Sequence, residues 1–98
     1  MRFSWDPLKS EANLAERGFD FLFATLIFDG PTLERHDDRQ NYGEKRVIAL
    51  GIADGILLTV VYTDRVEGGG DVVRRIISAR VSNRRERKAY RQTFSPER

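Results

Sequence analysis

Residues 46–63 read RVIALGIADGILLTVVYT, two apolar runs hinged on Asp54-Gly55. A two-residue Asp-Gly loop between β-branched runs is a strong hairpin signal, because both residues tolerate positive φ. The spacing therefore predicts strands over Arg46–Ala53 and Ile56–Thr63. In the first arm Ile48, Leu50 and Ile52 share one face, and Val47, Ala49 and Gly51 share the other. The second arm is apolar on both faces and reads as a central strand. After a loop over Glu67–Asp71 with three consecutive glycines, Val72–Val81 is the next strand and pairs with the arm before it. Alternation with period two sorts this strand into two sets. Val73, Ile77, Ala79 and Val81 lie on one face, interrupted by Arg75; Arg74, Ser78 and Arg80 lie on the other, interrupted by Ile76.

Working outward, Phe3-Ser4-Trp5 alternates and forms a short first strand. Asp6-Pro7 opens a helix: the carboxylate accepts from free N–H groups, and proline suits the first helical position. Leu8, Ala12 and Ala15 fall on one face of it, and Gly18 ends it as a left-handed cap. Asp20 caps a second helix, roughly Phe21–Phe28, whose core side is Phe21, Ala24 and Phe28 with Ile27 nearby. Asp29-Gly30-Pro31 stops it. Thr32–His36 reads as a strand and Asp37–Glu44 as a polar loop. Asn83 and Glu86 form a capping box that opens a final helix, docked through Tyr90 and Phe94. The order strand, two helices, antiparallel strands, helix predicts one α+β domain over residues 1–98, with two N-terminal helices and a C-terminal helix on one face of a mostly antiparallel sheet.

Charge is strongly segregated. Residues 74–98 carry nine Lys or Arg against two acids, an excess of seven, while residues 1–73 carry eight against thirteen. That asymmetry suits a polyanion such as RNA or DNA on one side of the molecule; the plain alternative is a solvated, charged final helix. With no cysteine and one histidine, neither a disulfide framework nor a Cys- or His-based metal centre is expected, and no cofactor is implied. The apolar run Ile56–Tyr62 is too short to span a bilayer, and the N-terminus has no signal-peptide run. The expectation is a soluble cytoplasmic protein without membrane contact.

Arg80 reads either as a phosphate clamp, since guanidinium matches phosphate oxygens bidentately, or as a structural partner of Glu86. Lys45 and Arg46 open one hairpin arm, Arg65 follows the other, and Arg74 begins the next strand, so Arg46, Arg65 and Arg74 are expected to converge at the hairpin's open end. His36 is the natural general acid or base by its pKa; its alternative is an ordinary surface residue at a strand end. Lys45, Tyr90 and Glu86 are the other proton-transfer candidates. Tyr42 can stack on bases, whereas Trp5 reads first as core. Arg74, Arg84, Arg87, Lys88 and Arg91 are the expected RNA-binding cations. Gly68-Gly69-Gly70 lacks the lysine and following helix of a phosphate loop.

The chain resembles the BrnT family of type II toxins. The resemblance is carried by Phe3-Ser4-Trp5-Asp6-Pro7-Leu8-Lys9, Gly18-Phe19-Asp20-Phe21, Glu44-Lys45-Arg46, Ala49-Leu50-Gly51, Val60-Val61-Tyr62-Thr63-Asp64-Arg65, Arg75-Ile76-Ile77-Ser78-Ala79-Arg80 and Arg84-Arg85-Glu86-Arg87, in that order. It implies a RelE-like fold and a small ribonuclease that arrests translation and growth. It also implies a BrnA-like ribbon-helix-helix antitoxin, with operator DNA bound only through the antitoxin complex. On that resemblance Arg65 and Arg80 line the RNA site, with Lys45 and Arg46 nearby. The sequence departs from the family pattern at Glu16-Arg17-Gly18 and at Gln40, where relatives often carry histidine. The competing readings are a non-catalytic nucleic-acid-binding module and a module that docks an acidic protein partner.

Overall fold

The computed structural model describes residues 1–94. Strand β1 (Arg2–Trp5) leads into α1 (Pro7–Arg17) and α2 (Phe21–Ala24), which runs on into a 3-10 turn, Thr25–Asp29. Then follow β2 (Leu33–His36), β3 (Val47–Ala53), β4 (Ile56–Val66), a 3-10 turn at Gly68–Gly70, β5 (Val72–Val81) and α3 (Arg84–Phe94). The sheet order is β1-β5-β4-β3-β2, with β1 parallel to β5 and every other neighbour antiparallel. This is the expected α+β class, with a mixed sheet, and β4 is its central strand. Asp54 and Gly55 both take positive φ in the β3–β4 turn (48° and 80°).

Local signals act where the sequence places them. Asp6 accepts from Leu8 N, Asp20 accepts from Phe23 N, and the Gly18 N–H closes α1 on Leu14 O. Asn83 and Glu86 cap each other's backbone N–H at 2.8 Å.

The second helix differs from expectation. It tightens to 3-10 geometry after Ala24 because its inward residues are Phe21, Ala24 and Ile27, all nearly inaccessible. A spacing of three eclipses side chains in a 3-10 turn. Phe28 leaves that stripe and instead meets Phe3 (5.6 Å) and Tyr62 (5.4 Å).

The first helix is turned the other way from its apolar stripe: Leu8 is 74% exposed, while Ser10 and Asn13 are buried. The polar face goes inward because the α1–α2 connection needs partners. Phe21 N–H donates to Ser10 Oγ, and Asn13 Nδ2 donates to Phe19 O, both at 2.9 Å. Arg17 Nη1 then spans Asn13 Oδ1 and Ala79 O, tying α1 to the end of β5. Unpaired buried polar groups would each cost about 1–3 kcal/mol, which outweighs the gain from burying Ala12 and Ala15.

One sheet face is the core. Phe21, Ala24 and Ile27 pack on Ala49, Ala53, Leu58, Val60, Tyr62, Ile76 and Ala79. Helix α3 does not share that face, contrary to the expectation of helices on one side. Gly51 faces the 3-10 turn, so its neighbour Leu50 faces away. Leu50 lies in one cross-strand row with Leu33, Thr59 and Arg80. Helix α3 sits over this second face: Arg85, Glu86 and Ala89 wall a groove of about 300 Å³ with Leu33, Ile48 and Leu50. The Thr59 and Ser82 hydroxyls bond at 2.7 Å, and Tyr90 donates to Pro31 O at 2.9 Å. No helix is long and apolar enough to cross a membrane.

A bulge resets β5. Val61 lies opposite Ser78 but Tyr62 lies opposite Ile76, leaving Ile77 as the extra residue. Past that point simple alternation is out of phase. The second face therefore receives Arg75, Ser78 and Arg80, while Arg74 joins Ile76 and Ala79 on the core face. This corrects the expected set of Arg74, Ser78 and Arg80.

Candidate anion-binding site on the second sheet face

The hairpin's open end does gather cations, but not the expected three. The Asp37 N–H donates to Arg46 O, extending the β2–β3 ladder one step and holding the start of the polar loop. Arg46 Nε donates to Glu44 Oε2 at 3.1 Å, and Arg65 Nη2 donates to Glu44 Oε1 at 3.2 Å. An arginine just before β3 and one near the end of β4 thus meet on one carboxylate. The Arg46 hydrogen bond lowers the Glu44 pKa, burial opposes this, and Arg65 adds to the lowering. The Arg46 guanidinium also stacks 3.9 Å above the Tyr42 ring. His36, Tyr42, Glu44, Lys45 and Arg46 line an open depression of about 560 Å³. Four of these lie within the loop or its junction with β3, and the histidine comes from the end of β2.

Arg74 is elsewhere. On the core face it makes a bidentate pair with Asp64, both bonds 2.8 Å, and its guanidinium sits 4.0 Å from the Tyr62 ring and 4.8 Å from Phe28. Its side chain is only 15% exposed. The hydrogen bonds it donates to Asp64 are the main reason its pKa is raised. Arg74 is therefore paired and stacked on the core face, away from Arg46 and Arg65.

Arg80 lies on the second face, at the far end of the sheet from Arg65. Six residues of β4 separate Thr59, opposite Arg80, from Arg65, or about 20 Å at strand rise. Arg80 grips Glu86 bidentately at 2.8 and 2.9 Å. Glu86 thus serves Arg80 and the α3 cap together, and its carboxyl is held at about 2, chiefly by Arg80. A carboxylate so acidic is a poor proton carrier near neutral pH. Tyr90, buried and donating to Pro31 O, is a docking residue. His36 and Lys45 are left as the proton-transfer candidates: both line the depression with Arg46, although the His36–Val47–Tyr62 row belongs to the core-face side of the sheet. On α3, Arg84, Lys88 and Arg91 are exposed, while Arg87 Nη1 turns back to Ser82 O at 2.8 Å.

Two further cations, Arg39 in the polar loop and Arg75 on β5, stand outside the expected site set. Arg39 holds Asp37 through two 2.7 Å bonds, and those bonds bring the Asp37 carboxyl to about 2. Simple alternation puts Arg75 on the packed face, whereas the bulge and its pairing with Thr63 place it on the second face.

The depressed carboxylates set an acid response. Each has a folded pKa below its ordinary value, so its contribution is full above about pH 4.5 and is lost as pH falls through about 2. The urea midpoint of the protein is expected to fall across that window. It should fall less in Glu86→Gln, with Asp37 and Glu44 supplying the remainder; equal slopes for the two proteins would remove Glu86 as a source.

A small α+β domain that converges two arginines on one carboxylate of the second face, with a histidine and a lysine lining the adjoining depression at the sheet's end and a basic helix at its margin, has the charge to hold a nucleic-acid backbone. The chain belongs to the ribonuclease toxins of type II toxin–antitoxin systems, the BrnT family, whose sequence model matches residues 5–86. No curated protein matches it.

Proposed function

We propose that this protein is an endoribonuclease toxin that cleaves RNA without a metal, using the substrate 2′-hydroxyl as nucleophile. The convergence of Arg46 and Arg65 on one carboxylate, beside His36 and Lys45, supports this reading most directly. In the reaction the 2′-oxygen bonds to phosphorus, the bond from phosphorus to the 5′-oxygen breaks, and a 2′,3′-cyclic phosphate and a 5′-hydroxyl result. Arg46 and Arg65 stabilise the charge that builds on the phosphoryl oxygens, the kind of preorganised electrostatics that often dominates catalysis. His36 takes the 2′-hydroxyl proton, and Lys45 protonates the leaving oxygen. Arg80 holds the strand further along the face, and Arg84, Arg87, Lys88 and Arg91 on α3 steer the backbone by charge. The RelE-like fold assignment belongs to this same reading.

Cleavage arrests translation and growth in the cytoplasm until a BrnA-like ribbon-helix-helix antitoxin neutralises the toxin. The pair then binds its operator DNA through the antitoxin. Purified protein incubated with RNA in EDTA is expected to yield cyclic-phosphate ends, and to leave a DNA strand of the same sequence intact. Tight, salt-steep RNA binding with no products would instead favour a non-catalytic binding module, a reading supported by the exposed cations of α3.

A further inference from the structure

We infer that Arg75 is the third arm of a phosphate seat formed with Arg46 and Arg65, and that Glu44 fills this seat in the free protein until an RNA backbone phosphate displaces it. The ligand's identity rests on the ribonuclease reading; the seat itself does not.

Placement comes first. Arg74 points into the core face, fixed by Tyr62, Phe28 and Asp64. The next residue of a strand must point to the opposite face. Arg75 lies opposite Thr63 on β4 and Ser4 on β1. The β3–β4 register continued one step puts Arg46 opposite Thr63 on its other side. Thr63 is buried, and its hydroxyl donates to Lys45 O at 2.7 Å, which pins that row. The Cα atoms of Arg46 and Arg75 are then two strands, about 10 Å, apart, with Arg65 two residues along the middle strand, about 7 Å away. Arginine side chains span such gaps.

Occupancy is second. Arg39, Arg46, Arg65, Arg74 and Arg80 each have a carboxylate partner. Arg75 is half-buried on the same face, and no carboxylate among the described residues pairs with it. A planar carboxylate has two oxygens, and Glu44 gives one to each of two arginines. A tetrahedral phosphate group presents oxygens in more directions and can engage all three.

Fit is third. The pairs at Asp37, Asp64 and Glu86 have closest contacts of 2.7–2.8 Å, whereas Glu44 receives its two arginines at 3.1 and 3.2 Å. Charge-assisted bonds optimise near 2.7–2.9 Å. Glu44 is the loose carboxylate of the set, as a displaceable occupant must be.

The test is binding of a short 2′-O-methyl RNA oligonucleotide, which 2′-hydroxyl attack cannot cleave, followed by fluorescence anisotropy across a salt series. Arg75→Ala is expected to weaken binding about tenfold at unchanged Tm, with the salt slope reduced by about 0.7 for one lost single-strand phosphate contact. Glu44→Gln should bind several-fold more tightly. Arg74→Ala should keep its affinity but lower Tm; Arg74→Met, which retains the apolar stem, replaces it if the alanine variant does not fold. Wild-type affinity and slope in Arg75→Ala overturn the seat, and unchanged affinity in Glu44→Gln overturns the placeholder. If wild-type protein binds this oligonucleotide, Arg75→Ala weakens that binding, and all-ribose RNA stays intact, the ribonuclease reading falls and the seat stands. Cleavage of all-ribose RNA with normal binding by Arg75→Ala gives the reverse.

Discussion

Arg65→Ala is expected to slow RNA cleavage by about 10²–10³, the usual cost of removing one preorganised donor from a developing oxyanion. Growth arrest on expression should disappear with it. Folding should be spared, because the Arg65 side chain is 52% exposed and its partner Glu44 keeps Arg46. An exposed pair of this kind contributes about 0–1 kcal/mol, so Tm should move by only a few degrees. Arg65→Lys retains the charge but not the planar fork, and should recover part of the rate. Arg80→Ala makes a useful contrast, since it breaks a bidentate pair but leaves the Asn83–Glu86 capping box. If Arg80 holds the strand about 20 Å away, its loss should appear mainly in KM, whereas that of Arg65 should appear in kcat. Unchanged toxicity in both variants would remove this face from the chemistry.

Most of the frame was legible because its signals are local. Asp-Gly at 54–55 dictates a turn whatever surrounds it. Asp6, Asp20 and the Asn83–Glu86 pair cap helices through atoms two or three residues away. What was hidden depends on partners distant in sequence. A bulge at Ile77 leaves no trace in Arg-Arg-Ile-Ile-Ser-Ala-Arg, since isoleucine suits either face; only the pairing of Tyr62 with Ile76 exposes it. That one extra residue exchanges Arg74 for Arg75 in the candidate site. The side chosen by α3 is equally silent, because a basic helix with one aromatic stripe can dock on either face. Helix α1 misled for another reason: its apolar stripe of Leu8, Ala12 and Ala15 is weak, and the buried backbone groups it had to satisfy lie beyond its own end.

Convergence of Arg46 and Arg65 was legible from the hairpin's geometry, yet their shared carboxylate was not. Glu44 sits in a polar loop where nothing in the sequence distinguishes it from Asp37 or Asp38. Asp37 turned instead to Arg39 two residues on, a contact settled by loop conformation.

The larger structural effect belongs to Gly51. Gly51→Ala is expected to destabilise the protein by about 1–3 kcal/mol, the usual cost of overpacking a filled core, and Gly51→Val to prevent folding. Gly51 has ordinary strand geometry, so conformational freedom is not what requires glycine here; close approach is. A Cβ at this position would lie 2.7 Å from Ile27 Cβ, 3.1 Å from Thr32 Cγ2 and 3.2 Å from Ile27 O. Ile27 is fully buried, and one of the three obstacles is backbone, so neither a rotamer change nor a small side-chain shift relieves the contact. The 3-10 turn would have to lift off β3 and take Ala24 and Phe21 with it. For a domain of this size each kcal/mol lowers Tm by about 4–8 °C, and total stability of about 5–15 kcal/mol leaves little margin for a valine. Gly55→Ala is the comparison: it meets no atom within 4 Å, and only its φ of 80° is strained, so a cost of about 1 kcal/mol is expected there. Thermal unfolding of the two alanine variants separates the mechanisms. An equal or smaller drop at Gly51 would mean that the 3-10 turn yields more easily than its packing implies. Because that turn also buttresses the core face of β3, which Lys45 and Arg46 immediately precede, a folded Gly51→Ala protein should also show reduced RNA cleavage.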